Sequence, residues 1–224
     1  MNILALDTSD QVLSVALATE AGVSCTAIDS GTRHSELLME CAAWLCKNAG
    51  IKPSDVGLVV CMKGPGSFTG LRIGFSAAKG ISLALNIPLV AVPTLDCLAY
   101  PLSIWPGIAL PAIDAKKGCF FAALYREGQR LTDFMDASPE TIFKEIVHSR
   151  LSPQEQVILT GCGAQALYSR LTADFSLAHI TVNPESRSGG ARELLSIAKN
   201  GTLNNSVNSG PLYLRKSDAE LNAG

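Results

Sequence analysis

Charged residues are scarce in this 224-residue chain, at 17%, and acidic and basic side chains nearly cancel to a formal net charge of −2. Because autonomous nucleic-acid-binding domains carry a marked basic excess, this balance excludes a basic surface that covers the whole protein. The hydrophobic share of 47% excludes a disordered chain, and the length is sufficient for one or two packed domains.

Several common site motifs are also lacking. The seven cysteines form no Cys-x-x-Cys pair, which argues against zinc and thioredoxin-like sites and favours free thiols in a reducing compartment. The three histidines, His34, His148 and His179, lie in unrelated segments, so we expect no metal site. There is no Gly-x-Ser-x-Gly elbow of a serine hydrolase. With no basic n-region and no apolar run as long as a membrane span, we expect a cytoplasmic protein without a signal peptide.

What the sequence does contain is an alternation of strand and helix patterns. Apolar runs bounded by turn residues predict strands, and apolar residues spaced three and four apart predict helices. The first half predicts strands at 3–6, 12–19, 23–28, 56–62 and 87–92, and helices at 35–48 and 68–85.

The second half repeats the beginning of the first. A strand at 108–113 ends at Asp114 as an earlier strand ends at Asp7, and a turn and a strand at 119–125 follow. A strand at 156–160 then leads through Gly161-Cys162-Gly163 into a helix at Ala164. We therefore predict two copies of one α/β unit, with lobes at 1–103 and 104–224. This duplicated pattern resembles the actin, sugar-kinase and Hsp70 superfold, which implies two lobes with a nucleotide in the cleft.

The tripeptide Asp7-Thr8-Ser9 follows the first predicted strand. Its hydroxyl and backbone N–H groups could contact a phosphate or a metal-bound water, as the superfold resemblance implies. The same residues are also typical of a polar turn whose side chains satisfy the local backbone. The matching position of Asp114 supports the first interpretation, and the sequence leaves both open.

The most informative segment is Gly64-Pro65-Gly66-Ser67-Phe68-Thr69-Gly70-Leu71-Arg72-Ile73-Gly74. It lacks the Gly-Lys-Ser/Thr of a P-loop and the third glycine of a dinucleotide fingerprint. Ser67 and Thr69 can cap the helix that follows. Small residues continue far along that helix, so we favour close packing over anion binding. Each helical glycine costs about 1 kcal/mol relative to alanine, and close packing would offset that cost.

Four segments stand in a recognisable order along the chain. They are Asp7-Thr8-Ser9, Arg33-His34-Ser35, the run from Gly64 to Gly74, and Pro211-Leu212-Tyr213-Leu214-Arg215. In this order they resemble the TsaB family, also called YeaZ. The glycine-rich run is quite specific, and the other segments gain weight from their order.

The resemblance implies a role in making N6-threonylcarbamoyladenosine at position 37 of tRNA (t6A37). It implies a non-catalytic subunit that binds TsaD, the paralogue that holds the metal and transfers the threonylcarbamoyl group, and that is joined by the ATPase TsaE. The paired histidines that hold the metal in TsaD are absent here, and only His34 stands in that region. We therefore expect no catalytic residue and no required cofactor in this chain. ATP or ADP is expected at most in the complex, or at a vestigial phosphate loop of Asp7, Thr8 and Ser9, and tRNA is expected to be reached through the complex.

The two predicted helices of the first lobe would supply the surface for the partner. Two such helices meeting two from a homologous protein would form a four-helix bundle. The same surface could pair with itself, so homodimer and heterodimer would compete for it. The predicted interface residues are His34, Leu38, Cys41, Leu45, Gly70, Arg72, Ile73, Gly74, Ala77 and Ile81. Arg72 is expected at the rim, and Gly74→Leu is expected to block TsaD binding while leaving the fold intact.

Three alternatives stay open. A stand-alone ATPase or small-molecule kinase of the actin-like superfold would need a catalytic acid, for which Asp7 and Asp114 are the candidates. A metallopeptidase is less favoured because metal ligands are lacking. A homodimeric interaction module with no role in tRNA modification differs only in its partner.

Overall fold

The structure, a computed structural model, describes residues 1–150, 152–174, 179–184, 189–201 and 208–215. The strands are β1 (Asn2–Asp7), β2 (Val12–Thr19), β3 (Gly22–Asp29), β4 (Val56–Gly64), β5 (Leu89–Pro93), β6 (Ile108–Asp114), β7 (Phe120–Ala122), β8 (Tyr125–Arg126), β9 (Gln129–Arg130), β10 (Met135–Ala137), β11 (Val157–Thr160) and β12 (Ile180–Val182). The helices are α1 (His34–Asn48), α2 (Phe68–Leu85), α3 (Thr94–Ala99), α4 (Pro139–Ser149), α5 (Ala164–Asp174) and α6 (Ala191–Asn200).

The chain divides into two compact units. The first contains residues 1–97 together with the described parts of 188–212, and the second contains the described residues between 98 and 187 with 213–215. The predicted boundary at 103–104 lies close to the first crossing. The predicted second lobe did not anticipate that α6 returns to pack on β1, β2 and β4 of the first unit.

The first unit is built on a five-stranded sheet of order β3-β2-β1-β4-β5. β1 pairs antiparallel with β2 and parallel with β4, so the strand lies at the centre of the sheet. Leu4 and Leu6 join the core beneath α1 and α2, whereas Ile3 and Ala5 pack with α6 on the opposite face. A strand covered on both faces reads as a continuous apolar run, which explains the start of the sequence.

The ends of the first two long helices follow their sequence signals. Ser67 is the N-cap of α2, and its side chain accepts a hydrogen bond from the backbone N–H of Gly70 at 3.2 Å. α2 ends at Asn86, which adopts a left-handed conformation. α1 ends before Gly50, where a φ of 68° favours glycine. The predicted ranges of both helices are confirmed to within one residue.

The second unit contains a seven-stranded sheet in which β10-β7-β6-β11-β12 lie in order and β8 pairs with β6 and β9. The strand predicted at 119–125 is wrong as one element: β7 pairs with the end of β6, whereas β8 pairs with its beginning. α4 and α5 bury Ile142, Ile146, Leu167 and Leu171 in a core with the sheet.

The duplication predicted from the sequence is confirmed in the topology. In each unit a first strand pairs antiparallel with the next one and parallel with a later strand, which leads through a glycine turn into a helix. In the second unit a Cβ on Gly163 would lie 2.7 Å from the backbone nitrogen of Asp114, so glycine is required where the turn meets the end of β6.

Candidate functional site

The Asp7–Asp10 loop follows β1, and the side chains of Asp7, Thr8 and Ser9 are all buried. Asp7 Oδ1 accepts hydrogen bonds from the backbone N–H of Ser9 at 2.9 Å and from Ser9 Oγ at 2.7 Å. Asp7 Oδ2 accepts a hydrogen bond from the backbone N–H of Gly190 at 2.7 Å. Gly190 is the N-cap residue of α6, so a carboxylate from β1 satisfies the start of a helix distant in sequence.

The middle of the loop meets the start of α2. Thr8 Oγ1 donates a hydrogen bond to the carbonyl of Gly70 at 2.7 Å, and Ser67 N–H donates one to the carbonyl of Ser9 at 2.8 Å. A Cβ on Gly70 or Gly74 would overlap Thr8. Gly66, Gly70 and Gly74 of the long motif are therefore explained by the close approach of this loop, which agrees with the packing interpretation.

The end of the loop meets the start of α1. The Nε2 atom of His34 lies 2.6 Å from the carbonyl oxygen of Asp10, and its Nδ1 atom lies 2.9 Å from Ser30 Oγ. A carbonyl only accepts, so the ring donates from Nε2, and Nδ1 shares a hydrogen bond with the Ser30 hydroxyl. His34 is buried, and its hydrogen bond to Asp10 holds the start of α1 against the loop.

The carboxylate of Asp7 is fully buried and lies near a second acidic residue, Asp10. Burial raises the pKa of Asp7 above its usual value, against the hydrogen bonds from Ser9 and Gly190, which lower it, and Asp10 adds to the rise. Burial, with a contribution from Asp7, raises the pKa of the Cys61 thiol to about 12. Burial also raises the pKa of Cys97, whose thiol donates to the carbonyl of Gly190. These thiols therefore stay protonated at neutral pH.

The two hydrogen bonds that Asp7 accepts from Ser9 are those of the polar-turn interpretation, whereas the bonds to Gly70 and from Gly190 join segments that are distant in sequence. Their side-chain oxygens bond to backbone or side-chain groups of the first unit. Nucleotide binding by these three residues stays a prediction.

The second aspartate, Asp114, has a different environment from Asp7. It is exposed and accepts hydrogen bonds from the backbone N–H of Lys116 at 2.7 Å and from Lys116 Nζ at 2.9 Å. Slight burial would raise the pKa of Asp114, but these bonds and the lysine charge outweigh it and lower the pKa. The matching sequence positions thus hold a buried carboxylate in one unit and an exposed one in the other.

Six of the ten predicted interface residues are not surface residues. The side chains of Leu38, Cys41 and Leu45 belong to the core between α1 and the sheet. His34, Gly70 and Gly74 are buried at the Asp7–Asp10 loop. The apolar stripe of α1 packs against its own sheet, and this corrects the prediction for these six residues.

The other four predicted residues lie further out. Arg72 is exposed, and its guanidinium stacks 3.8 Å from the ring centroid of Phe68. Ile73, Ala77 and Ile81 are partly buried and pack against the core of the first unit.

An apolar surface does exist on the outward sides of α1 and α2, which pack side by side. Met39 and Trp44 of α1 are 50% and 54% exposed, and Leu83 of α2 is 66% exposed. Apart from the neighbouring backbone of α2 itself, no atom of the described residues lies within 4 Å of the place that a Cβ of Gly80 would take. We call these four residues together with Arg72 the outer helix face.

Sequence reasoning missed two groups of residues, and each had a signal. Met39 and Trp44 are apolar residues outside the apolar stripe of α1, a pattern that indicates an exposed apolar surface. Gly189-Gly190 precede α6: a Cβ on Gly189 would lie 2.6 Å from Ser14 Cβ, and Ala191 N–H donates to Ser14 Oγ at 3.0 Å. Paired glycines before a helical pattern indicate such a close approach.

The C-terminal motif contributes to both units. In the first unit, Leu212 N–H donates a hydrogen bond to the carbonyl of Lys63 at 2.6 Å. In the second unit, Arg215 binds both carboxylate oxygens of Asp136, with distances of 2.7 and 2.5 Å, and donates to the carbonyl of Ala115 at 2.9 Å. Leu212 and Arg215 of this motif therefore each hold a segment of their own unit in place.

Among the described residues, no group of three or more His, Cys, Asp or Glu side chains is arranged to hold a metal ion. No helix in these ranges is long and apolar enough to cross a membrane.

Comparison with protein families gives a match over most of the chain. The sequence profile of TsaD, the tRNA N6-adenosine threonylcarbamoyltransferase, matches residues 28–221. The TsaB protein of Escherichia coli, a tRNA threonylcarbamoyladenosine biosynthesis protein, is 30% identical over 74% of this chain and 73% of its own length. The TsaB protein of Bacillus subtilis is 37% identical over 56% of each chain, so that alignment spans about half of that relative.

Solved structures confirm the predicted fold. YeaZ from Pseudomonas aeruginosa superimposes with a TM-score of 0.78 at 24% identity, covering 95% of this chain and 99% of that one. A Bacteroides thetaiotaomicron protein with an actin-like ATPase fold and unknown function superimposes with a TM-score of 0.52 at 8% identity, covering 87% of this chain and 95% of that one. The fold is therefore of the actin-like type.

Proposed function

The chain belongs to the TsaB (YeaZ) family of tRNA threonylcarbamoyladenosine biosynthesis proteins, and from that premise we propose that it is a non-catalytic subunit that binds TsaD. In this proposal TsaD transfers the threonylcarbamoyl group to adenosine 37 of tRNA, and this chain supports it as a scaffold and activator in the cytoplasm. None of the seven cysteines is paired in a disulfide within the described residues, as is usual in a reducing compartment.

The observation that carries the proposal is the outer helix face. Trp44, Met39 and Leu83 expose large apolar side chains on two helices that contact each other, and the position that a Cβ of Gly80 would take is open among the described residues. Large apolar side chains exposed on neighbouring helices are typical of interaction sites, and tryptophan is enriched among the residues that dominate binding energy.

The kind of partner follows from homology. The TsaD profile matches a range that includes both α1 and α2, so TsaD is inferred to contain the same pair of helices. Two homologous pairs can pack as a four-helix bundle. A second copy of this chain offers the same surface, so a homodimer would compete with the TsaD complex.

The non-catalytic assignment is supported by the Asp7–Asp10 loop. The carboxylate of Asp7 accepts three hydrogen bonds and serves the start of α6, so it is committed to the fold. ATP or ADP, the ATPase TsaE and tRNA enter the proposal only through the complex with TsaD.

The test is size-exclusion chromatography with light scattering on this chain alone and mixed with TsaD of the same organism. We expect a homodimer that is converted into a 1:1 complex with TsaD. A homodimer that persists beside free TsaD would contradict the proposal, and measurable ATP hydrolysis by the chain alone would then favour the stand-alone ATPase.

A further inference from the structure

The starts of three helices meet at the Asp7–Asp10 loop. Thr8 and Ser9 bond to Gly70 and Ser67 at the start of α2, with distances of 2.7 and 2.8 Å. Asp10 contacts His34, the first residue of α1, and Asp7 accepts the N–H of Gly190 at the start of α6. Because α6 packs on the opposite face of the sheet from α1 and α2, the loop joins the two faces.

Little space is left for one of these contacts to change alone. A Cβ on Gly66 would lie 2.6 Å from the carbonyl oxygen of Ser9, and one on Gly70 or Gly74 would overlap Thr8. On the other side, a Cβ on Gly190 would lie 3.2 Å from Asp7 Oδ2. Closely packed interiors transmit displacements, so a shift of the loop must move helices on both faces.

Of the three helices that start at the loop, α6 is the shortest. It has ten residues, no side chain of its own segment caps its start, and its first two N–H acceptors are Asp7 and Ser14. Helices of this length are marginal without tertiary contacts, and proteins open locally at their least stable elements.

We propose that the Asp7–Asp10 loop is a conformational joint that couples the docking of α6 to the positions of α1 and α2. Occupation of the outer helix face would then change how firmly α6 is held on the opposite face of the sheet. The effect of an occupied outer helix face on α6 rests on the proposed function, whereas the coupling between the helices is a property of the chain without a partner.

The test is amide hydrogen exchange on the free full-length chain, compared between wild type and Thr8→Val. This nearly isosteric change removes the hydroxyl that bonds to Gly70 and leaves Asp7 in place. We expect the amides of residues 192–200 to exchange about ten-fold faster, the equivalent of about one lost hydrogen bond.

The matched control is Ser82→Ala. Ser82 is a buried residue of α2 far from the loop, and its hydroxyl donates to the carbonyl of Ile87 at 2.6 Å. Coupling predicts that Ser82→Ala leaves the exchange of α6 unchanged. Equal acceleration in both variants, or none in Thr8→Val, would overturn the proposal.

A reverse experiment covers the case in which Thr8→Val does not fold. Ser14→Ala removes the acceptor for Ala191 N–H without changing a residue of the loop, and it keeps the backbone pairing of this position with Asp7. We expect faster exchange at Gly70 and Leu71, at the start of α2, and unchanged rates there would overturn the coupling. Neither experiment involves TsaD, so a negative result in either one would overturn the coupling and leave the proposed function standing.

Discussion

At the residue scale, Asp7 shows how one side chain can replace the local capping of a helix. Its two oxygens accept bonds from the loop that follows β1 and from the start of α6. A buried carboxylate is tolerated because each hydrogen bond to it partly offsets the loss of hydration. Asp7 therefore matters for the fold in a way that its position after a strand does not reveal.

Asp7→Ala is expected to destabilise the protein by about 2–4 kcal/mol, because buried donors on Ser9 and Gly190 lose their acceptor. The measurement is the free energy of unfolding in urea. Asp29→Ala, at an exposed aspartate at the end of β3, is the control and should change stability little. Equal stability of the two variants would contradict this account of Asp7.

The pH dependence of stability should carry the signature of the raised pKa of Asp7. Between the unfolded value near 3.8 and the higher folded value, the native state binds more protons than the unfolded state. The stability of wild type relative to Asp7→Asn should therefore rise as the pH falls through the folded pKa, and level off below the unfolded one. A relative stability that falls on acidification over this window would show that the folded pKa is lowered instead.

At the element scale, α2 has two sides with different requirements. Gly70 and Gly74 face Thr8 and have no room for a side chain, whereas Gly80 faces open space among the described residues. The small residues of this helix thus serve the inner contact at its start and leave an accessible surface further along.

A matched pair of substitutions separates these two sides. Gly74→Leu is expected to destabilise the protein by about 3 kcal/mol, because the new side chain overlaps Thr8. From the sequence we expected Gly74→Leu to leave the fold intact, and the overlap with Thr8 replaces that expectation with a loss of stability. Gly80→Leu should raise stability by about 0.5–1 kcal/mol through helix propensity. Thermal unfolding of both variants gives the comparison, and similar melting temperatures would contradict this assignment of sides.

Much of the first unit could be predicted from the sequence because its elements have strong local signals. The apolar run of β1, the periodicity of α1 and the glycine turn before α2 each identify one element. α6 could not be placed in the same way, since its start is satisfied by Asp7 and Ser14, which lie far away in sequence. Such contacts leave no local pattern beyond Gly189-Gly190.

The candidate site was harder to predict than the fold. Leu38, Cys41 and Leu45 form an apolar stripe, but periodicity does not tell whether a stripe faces its own sheet or a partner. In this protein the stripe faces the sheet. Trp44, next to Leu45 in sequence, points outward and is the better candidate for a contact residue.

At the scale of the whole molecule, the two units share a topology but differ in the residues that they expose. In the first unit α1 and α2 expose the outer helix face, and the Asp7–Asp10 loop fixes where both helices begin. In the second unit the corresponding strand ends at an exposed aspartate bound to Lys116. Family membership links these features in the proposal that the outer helix face binds TsaD.

The most direct test of binding at the outer helix face is isothermal titration calorimetry, in which TsaD is titrated into wild type, Gly80→Leu and Gly210→Leu. Gly210 is an exposed glycine whose Cβ position is also open among the described residues, so it controls for the added leucine. We predict that Gly80→Leu weakens binding by about ten-fold or more while Gly210→Leu binds as wild type does. Wild-type affinity for Gly80→Leu, or equal loss in both variants, would contradict the claim that TsaD binds the outer helix face.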